Sequence, residues 1–257
     1  MPTALVINPN TTPEMTHKIR ERAAPVFPPP WQLRVVQPPG GAESIESWFE
    51  SYLSAVAMLP LLKEHPDVDG IVLACFGDPG LFAFREIVRV PVVGIAEASF
   101  LTACMVGLKF GVIVGSAKDA ACLEDFLWSL GLHRRCAGFE WIDMAVLEMA
   151  SDRKDTLARL VEAAQGLKRK GAESAILGCA NLGDFREDLE RGSRIPVIDP
   201  IETACWQLRA LVEMGLKTSR AAMFETPGRK KLTDLEKVLS PELARWLCER
   251  AASGFSE

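Results

Sequence analysis

The chain has 257 residues, with 29 Lys plus Arg against 34 Asp plus Glu and a formal charge of −5. Apolar residues make up 48% and charged residues 25%, the balance of a folded chain and not of a disordered one. The mild acidic excess, with no basic block, argues against nucleic acid as the main partner.

The N-terminus Met1-Pro-Thr-Ala-Leu-Val-Ile7 lacks the basic stretch and apolar core of a secretory signal. The apolar stretch at residues 55–62 is interrupted by Pro60 and is far short of the ~20 residues that span a bilayer. A soluble, cytoplasmic protein with no membrane partner is expected.

In chain order, residues 4–7 read as a buried strand ended by Asn8-Pro9-Asn10. A helix follows at 12–24, with Thr11 or Thr12 as cap and Pro13 in the first turn. After Pro28-Pro29-Pro30 come a strand at 32–36, a long helix at 43–62, and a strand at 71–74 that ends at Cys75. A short helix at 81–88 and a strand at 92–95 complete this set. The alternation then continues with helices at 98–106, 117–130, 155–170, 182–190 and 202–214 and strands at 110–114, 139–142, 174–177 and 197–198. A helical pattern near 241–252 closes a more polar tail. Strands alternating with helices specify α/β architecture, with parallel sheets flanked by helices.

The alternation contains an internal repeat. Asp69-Gly-Ile-Val-Leu-Ala-Cys75 matches Glu173-Ser-Ala-Ile-Leu-Gly-Cys179, with an acid six positions before each Cys. Arg89-Val-Pro91 through Glu97 matches Arg194-Ile-Pro196 through Glu202, and the Cys-to-Glu interval is 22 residues in one copy and 23 in the other. Asn8 and Val114, at the ends of matching strands, precede their cysteines by 67 and 65 residues. Landmarks in the same order at nearly equal spacing indicate duplication. The expected organisation is two similar Rossmann-like halves, residues 1–98 and 99–214, with the site between them. The tail, 215–257, is expected to pack back on the first half.

The seven cysteines are then sorted. None has Cys-x-x-Cys spacing, so neither a zinc ribbon nor a thioredoxin-type motif is indicated, and an odd number does not suit a disulfide framework. Cys104, Cys122, Cys136, Cys205 and Cys248 read as core thiols. Cys75 and Cys179 differ, because each ends a strand where an open parallel sheet binds ligands. Two thiols facing each other across a cleft suit two-base proton transfer at one carbon. A helix N-terminus after each is expected to lower its pKa and to hold a developing enolate oxygen. The glycines of Gly77-Asp78-Pro79-Gly80 and Gly183 supply tight turns there.

Other residues give weaker signals. Asn10 fits a turn former or an amide donor to substrate, and Asp78 fits a helix N-cap or a charge near Cys75. Glu97 and Glu202 fit caps or cleft-lining groups. His17, His65 and His133 are scattered and form no metal-ligand pattern. No phosphate-binding glycine motif is present, so no nucleotide cofactor is indicated.

Ile7-Asn-Pro-Asn-Thr11, Ala74-Cys-Phe-Gly-Asp-Pro-Gly-Leu81 and Leu177-Gly-Cys-Ala180 resemble motifs of the hydantoin and allantoin racemases within the aspartate/glutamate racemase superfamily. The resemblance covers residues 4–228. It implies an isomerase without cofactor or metal, acting on a small molecule such as a 5-substituted hydantoin or allantoin, and a homo-oligomer. It implies Cys75 and Cys179 as the acid/base pair, with Asn10, Phe76, Gly77, Ser116, Ala180 and Asn181 around the substrate. Asn181 stands where the family usually has Gly, and Gly115-Ser116-Ala117 where it usually has adjacent threonines. Alternatives are an amino-acid racemase, a decarboxylase or cis–trans isomerase of the same superfamily, and a thiol-based binding or redox-sensing protein.

Overall fold

The structure, a computed structural model, describes residues 1–149 and 152–255. The first half contains β1 (Thr3–Ile7), α1 (Pro13–Ala23), β2 (Gln32–Val36), α2 (Trp48–Ala57), α3 (Leu59–Glu64), β3 (Gly70–Leu73), α4 (Leu81–Ile87), β4 (Val92–Gly94) and α5 (Ile95–Val106). The second contains β5 (Phe110–Val114), α6 (Ala117–Ser129), β6 (Cys136–Trp141), α7 (Arg153–Arg169), β7 (Ser174–Leu177), α8 (Arg186–Ser193), β8 (Val197–Ile198) and α9 (Pro200–Glu213). A final helix, α10 (Pro241–Ser253), follows a mostly irregular stretch.

Each half forms a four-stranded sheet, in the orders β2-β1-β3-β4 and β6-β5-β7-β8. Every pairing is parallel, so each sheet needs helices on both faces. The central strands are accordingly apolar throughout: Ala4 to Ile7 and Val112 to Val114 are fully buried. Burying such side chains contributes about 1.5–3 kcal/mol each, before chain entropy is subtracted.

The closing helices exchange partners. In α5, Ala96, Phe100 and Ala103 pack with Phe110, Val112, Val114 and Ile176 of the second sheet. In α9, Ile201, Ala204, Cys205 and Leu208 pack with Ala4, Val6, Val72 and Val93 of the first. A Cβ on Gly70 would lie 2.5 Å from Leu208 Cδ1, so the absence of a side chain lets α9 settle on β3. The boundary expected at residue 98 thus falls inside α5, a helix shared by both cores.

Several expected elements differ in extent. The helix expected at 43–62 starts only at Trp48, where the Ser47 side chain accepts from Glu50 N–H, and divides at Met58. Pro60 cannot donate to the preceding turn, which restarts the helix as α3. The helix expected at 182–190 is a 3₁₀ segment, Ala180–Phe185, followed by α8. In the tail, Thr218 N–H donates to Arg89 O, Arg220 donates to Arg85 O and Glu86 O, and Trp246 packs on the core beside β3. Among the described residues no helix is long and apolar enough to cross a membrane.

Candidate active site

The duplicated register carries the two cysteines to equivalent places. Ile7 pairs with Leu73, and Ile113 with Leu177. One residue on, Ala74 N–H donates to Ile7 O at 2.8 Å and Gly178 N–H to Ile113 O at 2.7 Å. Cys75 and Cys179 come next, each two residues beyond its strand.

The chain then turns sharply in both halves. After Cys75, Gly77 (φ 119°), Asp78 (φ 51°) and Gly80 (φ 77°) adopt left-handed conformations, and Asp78 N–H donates to Cys75 O at 3.0 Å. Phe76 sets its ring edge-on against Phe100 of α5, with centroids 5.6 Å apart. This contact fixes the Cys75 loop to the core of the second half. Cys179 caps the 3₁₀ segment Ala180–Phe185, and Leu182 N–H donates to Cys179 O at 3.1 Å.

Both cysteines line one pocket that encloses about 860 Å³, its open mouth included. Its floor combines Asn10, Ala74, Phe76 and Gly77 from the first half with Gly115, Gly178 and Ala180 from the second. Met15, Ile45, Trp48, Leu123, Phe126, Val146 and Met149 form apolar walls. The charged side chains in the described lining are Glu46 and Asp119.

Electrostatics differ from the expectation at the thiols. Burial pushes the Cys75 thiol far up, and Cys179, Asp78 and Asp119 push it further. Burial also raises Cys179 to about 11, against a lowering hydrogen bond from the Asn181 backbone and the Lys18 charge. The expected lowering therefore fails. At Cys75 no hydrogen bond to the thiol lowers it against desolvation, and at Cys179 desolvation exceeds the single hydrogen bond. Each thiol is a weak acid whose thiolate is a strong base. Among the described residues no three His, Cys, Asp or Glu side chains are grouped to hold a metal.

Comparison with known proteins places the fold in a family. The family model for Asp/Glu/Hydantoin racemase matches residues 5–208. The chain belongs to the Asp/Glu/Hydantoin racemase family. It is 35% identical to a hydantoin racemase from Pseudomonas sp. over 229 residues, 88% of this chain and 92% of that one. Its structure superposes on the allantoin racemase from Klebsiella pneumoniae with a TM-score of 0.84 at 33% identity, covering 93% of this chain and 100% of that one. For allantoin racemase from Pseudomonas fluorescens the TM-score is 0.86 at 33% identity, covering 90% and 99%. The protein is thus an isomerase of the racemase type.

Of the residues expected around the substrate, Asn10, Phe76, Gly77 and Ala180 line the pocket, whereas Ser116 and Asn181 are outside its described lining. Asn10 Oδ1 accepts from Thr12 N–H at 3.0 Å and from Asn8 Nδ2 at 2.8 Å, so the side chain shapes its own turn while facing the pocket. The Ser116 hydroxyl donates to Asp119 Oδ2 at 2.9 Å and caps α6. Asn181 accepts from Lys18 Nζ at 2.8 Å and donates to Val146 O at 3.1 Å. Of the five cysteines expected in the core, Cys205 is buried there, but Cys122 lines the pocket and Cys104, Cys136 and Cys248 are half-buried. Sequence reasoning also missed Asp119, although Ser116-x-x-Asp119 has the spacing of a capping box.

Asp78 caps a helix, but not the one that follows it. Its carboxylate accepts from Ala96 N–H at 2.9 Å and Glu97 N–H at 2.8 Å, the second and third residues of α5. In the second half Asp199 makes the same bonds within its own helix, accepting from Ile201 and Glu202 N–H at 2.9 and 3.0 Å. The repeat aligns Asp199 with Gly94. A Cβ on Gly94 would lie 2.1 Å from Asp78 Cγ, and one on Gly183 would lie 2.5 Å from Asp199 Oδ2. Acid and glycine have exchanged places between the halves; Asp78 ties the loop after Cys75 to the start of α5, whereas Asp199 caps its own helix, with its Oδ2 close to Gly183 and 3.7 Å from Arg22 Nη1. Glu97 forms a bidentate pair with Arg85, and Glu202 lies outside the described lining.

Proposed function

We propose that this racemase inverts the stereocentre of a 5-substituted hydantoin or of allantoin without cofactor, with Cys75 and Cys179 as the two acid/base groups. The observation that carries the reading is that two duplicated strand ends present their thiols to one pocket. The C5 proton of a hydantoin lies beside a carbonyl. One thiolate takes this proton, and the electron pair moves onto the carbonyl oxygen as an enolate. The opposite thiol gives its proton to the other face of C5, and the pair of thiols ends with its protonation states exchanged.

The raised thiol pKa values fit this task. A C–H acid this weak needs a strong base, and a buried thiolate is stronger than an exposed one. The apolar walls at Met15, Trp48, Leu123 and Phe126 suit an apolar 5-substituent better than the polar ureido group of allantoin.

Single enantiomers of 5-benzylhydantoin, allantoin and aspartate in heavy water test the proposal, with optical rotation and deuterium uptake as readouts. The hydantoin should racemise with deuterium incorporation. Cys75→Ser and Cys179→Ser should each abolish racemisation, while one retains exchange of a single enantiomer. Full racemisation by either variant refutes the two-base mechanism. Turnover of aspartate alone identifies an amino-acid racemase instead.

A further inference from the structure

We propose that Asp119 selects substrate by charge, admitting a neutral ring with N–H donors and turning away compounds that carry a carboxylate. The inference rests on the function proposed above and names what decides between substrates at that site.

The carboxylate is held in the first turn of α6. Its Oδ2 accepts from Ser116 N–H at 3.0 Å and from the Ser116 hydroxyl at 2.9 Å, while Asp119 N–H donates back to Ser116 Oγ at 3.2 Å. This reciprocal cap keeps the side chain from swinging away. Oδ1 has no hydrogen-bond partner among the described residues, and the residue lines the pocket. Burial pushes the Asp119 carboxyl up, and both bonds from Ser116 oppose this by favouring the charged form. Asp119 shares the pocket lining with both Cys75 and Cys179.

The remaining charge in the described lining has the same sign. Glu46 faces the pocket, and no Lys, Arg or His of the described residues lines it. Lys18 acts on Cys179 from outside the lining, with its ammonium on Asn181 Oδ1. A substrate carboxylate entering here meets two like charges and no counter-ion, whereas a ring N–H finds a fixed acceptor.

Two compounds with the same ring isolate the effect: neutral 5-ethylhydantoin and anionic hydantoin-5-acetate. Deuterium exchange at C5 gives kcat/KM for each in the wild-type protein, Asp119→Asn and Asp119→Ser. Removing the charge should raise the anionic-to-neutral ratio about tenfold or more. Both variants have to shift it in the same direction, so a defect peculiar to one cannot produce the result. Titration calorimetry on Cys179→Ser, with and without Asp119→Asn, gives the same ratio as dissociation constants. If the wild-type protein exchanges neither compound, the proposed function falls while the binding ratio still decides on Asp119. An unchanged ratio, with both compounds weakened equally, overturns the role of Asp119, and so does failure of the neutral compound to bind or of the anionic one to gain any binding in Asp119→Asn.

Discussion

Asp78 gives the most demanding test, because a buried carboxylate sits on two helix N–H groups and beside Cys75. Burial raises its pKa from 3.8 to about 7, opposed by the Ala96 and Glu97 N–H groups and by Arg85, and assisted by the Glu97 charge. An acid whose pKa is higher folded than unfolded binds more protons when folded. Its contribution is therefore fully present below the unfolded pKa and lost as pH rises through about 7. From pH 8 down to about pH 5 the folded state gains nearly two pH units of linkage, roughly 2–3 kcal/mol. Asp78→Asn removes the titration and suits the backbone, since Asn tolerates a φ of 51° better than Ala. Urea unfolding of both proteins at half-unit pH steps, with thiols reduced, gives the difference in stability. Wild type should gain on Asp78→Asn by that amount as pH falls. The difference cancels the titration of other carboxyls that burial pushes up, such as Asp119 and Asp199. A flat difference, or wild type losing ground towards acid, refutes the account of this carboxylate.

Three further outcomes follow from the same geometry. With the Cys179 thiol raised to about 11, alkylation by iodoacetamide in Cys75→Ser should climb about tenfold per pH unit from pH 8 to 10; a plateau below pH 9 contradicts it. Gly94→Ala places a Cβ 2.1 Å from Asp78 Cγ and should lower urea stability by about 1–3 kcal/mol or more, because the carboxylate cannot retreat without leaving two N–H groups unpaired. The double exchange Asp78→Gly with Gly94→Asp rebuilds the second half's cap in the first and should be more stable than Gly94→Asp alone; additive losses count against the equivalence.

Much of the fold was legible because its signals are local. Buried parallel strands are short apolar runs, and both Ile71 and Ile176 sit in such runs between turn residues. The repeat was legible because duplication preserved the strand-to-cysteine offset, and this offset brings Cys75 and Cys179 to one pocket. Other features are fixed by packing across the chain. Nothing near α5 in sequence says that Phe100 belongs to the other half's core. Nothing near Trp48 says that α2 borders a pocket lined by the loops after β3 and β7, because a Trp at a helix start reads equally as ordinary packing. The thiol pKa values were misjudged for a related reason. A strand end before a helix suggests N–H donors, but desolvation depends on everything that covers the site.

The exchange of acid and glycine shows how tertiary structure hides a symmetric device from sequence alignment. Aligned by the repeat, Asp199 faces Gly94, and an acid opposite a glycine looks like a lost function. In space the carboxylate is present in both halves, on the second and third N–H groups of α5 and α9. What differs is the segment that supplies it. Asp78 comes from the loop after Cys75, so capping α5 also secures that loop. Asp199 comes from the helix start itself and presses instead against Gly183 in the loop after Cys179. The carboxylate thus fills the same space in both halves, but only Asp78 ties its cysteine loop to the helix by hydrogen bonds. Either side can supply the acid only while the other remains glycine, since a Cβ there would fill the carboxylate's place. That reciprocal exclusion is a sequence signature, but it becomes visible only when the pair of positions is compared across both halves and not residue by residue.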